Sequence, residues 1–365
     1  MFLKSNPCVF VIEKEYEIVI NTHENGLIAL SIDDKLFYEE NSGALSSEKN
    51  YVKIRVPQTI LDDAKKYTVT YRKTINRRGY GSLMGETQTI EYDFKPLLKT
   101  ENINIYHVAD VHYKFAEFEK TCSFFGDELD LLVVNGDIGE VETIENYEEV
   151  LRFVGNISRG SIPVIFTRGN HDTRGKLAER FTDYFPANGK KTYFTFEVGC
   201  LKGVVLDCGE DKRDNHIDSK AKVPDVYGGV NIFHDFRVRE TEFVSNLEFN
   251  DDGKIPFAVC HIAPSYTSPS GNPVFDIERD IYAIWIRKLE ELGINFMLTG
   301  HIHRAYILQP NDSASNQPAN YPVIVGSECY QGKFIGTAII LNKDSASIMF
   351  TDQELQVVSK CVITF

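Results

Sequence analysis

A chain of 365 residues with a formal net charge of −14 has enough material for two domains and a full hydrophobic core. The acidity disfavours a general nucleic-acid binder, because a phosphate backbone attracts Lys and Arg and is repelled by carboxylates; bound metals can reverse the field locally and admit a small phosphorylated substrate. No apolar run approaches the roughly 20 residues that span a bilayer, and the opening Met1-Phe-Leu-Lys-Ser-Asn-Pro-Cys lacks the features of a secretory signal, so a cytoplasmic protein with no membrane partner is expected.

Residues 1 to about 98 show period-two alternation. Val52, Ile54 and Val56 alternate with Lys53 and Arg55, Tyr67, Val69 and Tyr71 with Thr68 and Thr70, and Asn25-Gly26 is a hairpin-type dipeptide. This pattern predicts an N-terminal all-β sandwich of immunoglobulin or fibronectin character over 1–98. It carries no residue that looks catalytic and is a candidate surface for packing, partner contact or oligomerisation. From 99 to 365 strands alternate with helical patterns, as in β-α-β units. Apolar runs at Ile103–Ala109, Leu131–Val134, Pro163–Phe166, Pro256–Cys260 and Ile294–Leu298 read as buried parallel strands. Phe115–Leu129, Asn146–Arg159 and Asp276–Leu292 read as amphipathic helices. The stretch between Cys208 and Glu240, with His216, Tyr227-Gly-Gly and His234, is long and polar, a candidate rim over a site. The tail returns to strands at Thr337–Leu341, Ser347–Phe350 and Val357–Phe365. Cys8, Cys122, Cys200, Cys208, Cys260, Cys329 and Cys361 are scattered without CxxC spacing and read as reduced thiols.

Polar segments lie at or just beyond the ends of the five apolar runs: Asp110-Val-His112, Gly136-Asp137, Gly169-Asn-His-Asp172, His261 and Gly300-His-Ile-His303. Groups placed just past parallel strands converge on one edge of a sheet. Carboxylate, imidazole and amide oxygen are donors for borderline divalent ions, and a two-ion site needs a carboxylate able to reach both. Asp137, after a glycine that permits close backbone approach, is the natural bridge. Each residue has a plainer role available to it: Asp137 in an ordinary turn, Asn170 as a helix cap, His107 as a core residue. Arg168 and Arg174 flank the Gly169 segment, where they can touch a phosphate or simply be solvated.

The five segments in this order resemble the calcineurin-like metallophosphoesterase family, whose motifs run DxH, GDxx, GNH(D/E), an isolated strand-end His and GHxH. The resemblance covers residues 103 to about 340. It implies a four-layer αββα sandwich, two mixed sheets flanked by helices, and two divalent ions, of Mn, Fe, Zn, Co or Ni. Asp110, His112, Asp137 and His303 would hold one ion, and Asp137, Asn170, His261 and His301 the other. His171 would protonate the leaving oxygen, with Asp172 orienting its ring and favouring its charged form, while metal-activated hydroxide attacks phosphorus. Arg168 is carried as a substrate contact. The expected activity is phosphomonoester hydrolysis on a small molecule or phosphoprotein. A phosphodiesterase acting on a cyclic nucleotide or other small diester is the alternative, and a metal-stabilised binding module a further one, against which an intact His171 argues.

The domain order is also similar to purple acid phosphatases. That subgroup carries a metal-binding Tyr three residues after the bridging Asp, where this chain has Glu140. Imidazole from His112 is expected to replace phenolate here.

Overall fold

A computed structural model describes residues 1–139, 141–214, 230–265, 277–315, 317–330 and 332–365. The N-terminal part runs through β1 (Cys8–Ile12), β2 (Glu15–Asn21), β3 (Gly26–Ile32), β4 (Lys35–Tyr38), β5 (Glu40–Asn41), β6 (Ala44–Leu45), β7 (Tyr51–Pro57), helix α1 (Gln58–Ala64), β8 (Lys66–Arg77) and β9 (Ser82–Asp93). There follow β10 (Ile103–Val108), α2 (Phe115–Cys122), β11 (Leu131–Asn135), α3 (Ile144–Ser158), β12 (Pro163–Thr167), α4 (Phe181–Tyr184), β13 (Phe194–Val198), β14 (Leu201–Leu206) and α5 (Phe233–Ser245). The chain ends with β15 (Ile255–Cys260), α6 (Arg279–Glu291), β16 (Met297–Thr299), β17 (Tyr306–Leu308), β18 (Val323–Val325), β19 (Glu328–Tyr330), β20 (Lys333–Asn342), β21 (Ser345–Thr351) and β22 (Val357–Thr364).

Two mixed sheets form the centre. One runs β22-β21-β20-β10-β11-β12-β1-β2-β7, parallel from β10 through β11 and β12 to β1, and the other runs β13-β14-β15-β16-β18-β17. The central strands of the first sheet, β1, β10, β11 and β12, are apolar on both faces because both are covered. Leu131 and Val133 pack toward the second sheet with Phe257, Val259 and Leu298, while Leu132 and Val134 pack on Phe118, Leu151 and Phe153 of α2 and α3. On the far side of the second sheet, Val204, Leu206, Ala258 and Cys260 meet Val244 of α5 and Trp285 and Leu289 of α6. The layers are therefore αββα, the architecture that the family resemblance implies.

The N-terminal strands are all-β as the alternation predicts, and they are built into the same framework. β1 pairs in parallel with β12, Val9 opposite Pro163 and Phe10 opposite Val164, so β1, β2 and β7 continue the central sheet. The four-stranded sheet β4-β3-β8-β9 packs Leu30, Val69 and Tyr71 over Ile18, Ile20 and Ile54 of that extension, completing a sandwich. Asn25-Gly26 does not turn a hairpin, since β3 pairs with β4 and β8 rather than with β2. Gly26 is required for another reason: a Cβ there would lie 2.3 Å from the Tyr71 ring. The helical periodicity of 115–129 also stops early, because Gly126 at φ 53°, ψ −129° breaks the 3₁₀ turn that follows α2.

Removing residues 1–98 uncovers the β12 edge and one wall of the inter-sheet core. A 99–365 fragment is expected to be insoluble or to melt without a cooperative calorimetric transition. A sharp transition in that fragment would show that β12 tolerates being an edge.

Candidate active site

The motif segments leave the C-terminal ends of parallel strands in both sheets, β10, β11 and β12 in one and β15 and β16 in the other. Asp110, Asp137, Asn170 and His261 form a buried floor, and His112, His171, His301 and His303 stand toward the mouth. His303 Nε2 lies 3.5 Å from Asp110 Oδ1 and 3.3 Å from His112 Nε2. His261 Nε2 lies 3.2 Å from Asp137 Oδ2 and 3.7 Å from Asp110 Oδ1, and His301 Nδ1 lies 2.9 Å from Asn170 Oδ1. Donor atoms of Asp110, His112 and His303 fall within 4.8 Å of one another, as do those of Asp137, His261 and His301. Asp137 also groups with His112 and His171, which places it between the two sets.

The backbone is bent to present these side chains. Asp110, His112, Asp137, His301 and His303 all have φ between 43° and 71°, a region that costs a non-glycine residue about 1–3 kcal/mol and recurs at functional sites. The bends are held by Asp110 N donating to Gly136 O at 3.1 Å, His112 N to Asp137 O at 3.1 Å, and Gly300 N to His261 O at 2.9 Å. Gly136, at φ 74°, faces Gly169, and a Cβ on it would sit 2.6 Å from Gly169 N and 2.7 Å from His261 Nδ1.

The model of the calcineurin-like phosphoesterase family matches residues 103–305, more than half of the chain. The chain belongs to that family. The metallophosphoesterase is thus a phosphoric ester hydrolase, and its family and candidate ligand clusters support divalent metal cofactors. Among curated proteins nothing matches the chain. Among solved structures it is similar to purple acid phosphatase PPD1 from yellow lupin (Lupinus luteus) seeds, at TM-score 0.60 and 9% identity over 99% of this chain and 74% of that one. It is also similar to PhoD, at TM-score 0.57 and 10% identity over 98% of this chain and 88% of that one. At such identities the likeness is one of fold.

The residues fit a metal. His261 donates Nδ1–H to the Asn135 carbonyl at 2.6 Å, which turns its Nε2 toward the two carboxylates, and that buried nitrogen has no hydrogen-bond partner. Burial holds His112 at about 4 and, with His261 adding, His301 at about 3; burial likewise lowers His303. These rings are neutral at pH 7 and keep a lone pair. His261 goes the other way: burial opposes its charge, but Asp137 and Asp110 outweigh burial and push it up to about 10. Burial, with Asp137 adding, pushes Asp110 up to about 8. For Asp137 burial acts upward too, yet His261 holds it below the usual carboxylate range. The phosphoesterase cluster thus needs protons on both Asp110 and His261 to offset the charge of its two buried carboxylates. A divalent cation would take the place of those protons.

Two sequence expectations are corrected. Asp172 does not orient the His171 ring: its Oδ2 accepts the Gly169 and Asp137 amides at 2.8 and 2.9 Å, because neighbours on a 3₁₀ turn point apart. Arg174 faces the ring instead, with Nη1 3.1 Å from His171 Nε2, and burial together with Arg174 lowers the His171 pKa despite Asp137. The charged form of His171 is therefore not favoured in the metal-free chain. Arg168 is not aimed at the cluster either. Its Nε lies 2.8 Å from Asp207 Oδ2, and its guanidinium stands 5.4–5.9 Å from the Phe181, Phe233 and Phe236 rings. His107 is a core residue as expected, its Nε2 3.1 Å from Asn135 Nδ2. His234 is exposed and paired with Glu278 at 2.9 Å. Glu140, His216, Tyr227 and the loop residues 215–229 lie outside the described residues, as does the Cys329 side chain.

One further contributor, Asn135, was not singled out from the sequence, and two more, Glu210 and Asp211, lie in the polar stretch between Cys208 and Glu240 expected to rim the site. Asn135 orients His261, while Glu210 grips Arg174 through two 2.6 Å bonds and Asp211 Oδ2 lies 3.8 Å from His301 Nε2. The available signal was a sixth apolar run, Leu201–Leu206, which ends in Asp207-Cys-Gly-Glu-Asp211 just as the motif strands end in ligands.

Gly136→Ala is expected to lower stability by about 1–3 kcal/mol, the usual cost of overpacking, and to reduce metal content. Calorimetry with elemental analysis checks both. Unchanged metal content would mean that Gly169 and His261 have room to move.

Proposed function

We propose that the chain hydrolyses phosphate monoesters of a small molecule or phosphoprotein at a pair of divalent ions. The convergence of Asp110, His112, Asp137 and His303 on one side and Asp137, Asn170, His261 and His301 on the other, with His171 beside them, carries this reading. Two such ions, when bound, polarise phosphoryl oxygens and lower the pKa of water so that a nucleophile is available near neutral pH.

The chain's own residues do the rest. Asp137 Oδ1 accepts the His171 amide at 2.7 Å, fixing the backbone of the acid to the bridging carboxylate. The His171 ring, half-buried and edge-on to His112 with centroids 4.8 Å apart, delivers a proton to the leaving oxygen. Arg174, gripped by Glu210, steadies that ring. The acidic chain lacks the basic tract that a polynucleotide diesterase would want, which favours the monoester. A diesterase on a small diester is the second reading, and parallel assays of p-nitrophenyl phosphate and its bis ester separate them.

A reducing compartment belongs to the same proposal. Cys208 and Cys260 lie with their sulfurs 3.4 Å apart as free thiols.

Asp137→Asn is expected to lose at least one metal together with most activity, whereas His171→Asn should keep its metal while kcat falls by about 10²–10⁴, the usual worth of a general acid. The His171 loss should shrink for esters with good leaving groups. Metal content falling with activity in His171→Asn would make that residue a ligand.

With imidazole from His112 in place of phenolate, the purified enzyme should be colourless, and chelator-stripped protein should regain activity with Mn²⁺. An intense visible absorption band would show that a tyrosine reaches the metal.

A further inference from the structure

Next to Arg174 a cleft of about 580 Å³ opens, and it shares the walls Arg168, Ala178, Glu179 and Phe233 with a second cavity of about 290 Å³. Together they have the size of a small-molecule site. Arg174 belongs to both places: it lines the larger cavity and lies 3.1 Å from His171 Nε2. In the proposed reaction the leaving oxygen is at His171. The cleft therefore starts where the alcohol portion of the ester must go.

Its walls are of two kinds. Near Arg168 they are aromatic, with Phe233 and Phe236 half-buried and the Arg168 guanidinium layered among the rings. Because Asp207 neutralises Arg168, that part offers a planar surface with little net charge. Farther out, Lys190 and Arg239 line the smaller cavity, are exposed, and have no ion-pair partner among the described residues. Glu179 is the only described carboxylate on either wall. Two unneutralised cations beside aromatic rings, on a chain of net charge −14, mark a local reversal of sign.

We propose that this cleft selects the alcohol portion of the substrate, and that the substrate is a phosphate ester whose alcohol carries an aromatic ring and a second anionic group, the composition of a nucleoside bisphosphate. The inference rests on the phosphoester reading of the metal site. The scissile phosphoryl group lies at the cluster, the ring at Phe233 and Arg168, and the second anion at Lys190 and Arg239.

The test uses the full chain with Mn²⁺ and three esters: adenosine 3′,5′-bisphosphate, fructose 1,6-bisphosphate, which lacks the aromatic ring, and glycerol 3-phosphate, which lacks both features. Wild-type kcat/KM is expected to be highest for the adenosine ester, by at least tenfold over the sugar bisphosphate and more over glycerol phosphate. In the Lys190→Ala/Arg239→Ala double variant, the ratio of kcat/KM for the adenosine ester to that for p-nitrophenyl phosphate should fall tenfold or more, through KM. Lys190→Glu should lower it further. Calorimetric titration of chelated protein with adenosine 3′,5′-bisphosphate gives a readout without turnover, and binding there should weaken by a similar factor in the double variant. Equal kcat/KM for the three esters, or a ratio and an affinity unmoved in the double variant, would overturn the proposal. Absence of hydrolysis of every ester by wild-type protein, with the affinity loss still seen, would instead overturn the phosphoester reading and leave the cleft assignment standing.

Discussion

Two carboxylates, Asp110 and Asp137, are buried facing the same nitrogen, His261 Nε2, and much of the surrounding structure answers the charge they create. An ionised carboxylate withdrawn from water is strongly destabilising unless cations or donors compensate it. Compensation here comes from the His301 amide on Asp110, the His171 amide on Asp137 and protons held on Asp110 and His261. A divalent cation would take over from those protons. The charge demand and the metal-binding capacity are one property.

That arrangement exists only because two sheets are held in register. Asp110, His112, Asp137 and Asn170 come from the first sheet, and His261, His301 and His303 from the second. Hydrogen bonds cross between them at the site's base: His261 Nδ1 to Asn135 O, Asn135 Nδ2 to Leu298 O at 3.1 Å, and Thr167 Oγ1 to Leu206 O at 3.2 Å. Apolar packing of Val133 and Ile165 against Val259 and Leu298 sets the sheet separation, and these polar bonds set the lateral fit. A slip of one sheet would separate the ligand sets before it disturbed either sheet.

The strand that ends in Asp207-Cys-Gly-Glu-Asp211 extends the site away from the metals. Glu210 is held at about 2, because its bonds to Arg174 prevail over burial, while burial and Glu210 together push Asp211 up to about 7. A firmly ionised Glu210 keeps Arg174 in one place. The Arg174 guanidinium is then available to the His171 ring on one side and to the cleft on the other. In the proposed reaction, chemistry at the metals and selection in the cleft are joined through this one side chain.

The sequence by itself determined the strands that carry the site and the residue types placed at their ends. Buried parallel strands are apolar on both faces, and although a single polar residue after such a run can serve a turn or a cap, five such endings together made Asp110, Asp137, Asn170, His261, His301 and His303 stand out. The alternation of strands and amphipathic helices indicated β-α-β units, while the αββα layering was implied by the family resemblance. Only the tertiary structure decided the partnerships. β1 enters beside β12 although some 150 residues separate them, and no local pattern encodes which edge a strand will join. Asp172 turned to backbone amides, Arg168 turned to Asp207 and three phenylalanines, and Arg174 took the place beside His171, because side-chain direction depends on φ, ψ and neighbours from distant strands. Strand ends are a local property of the chain; contacts between strand ends belong to the packed sheets.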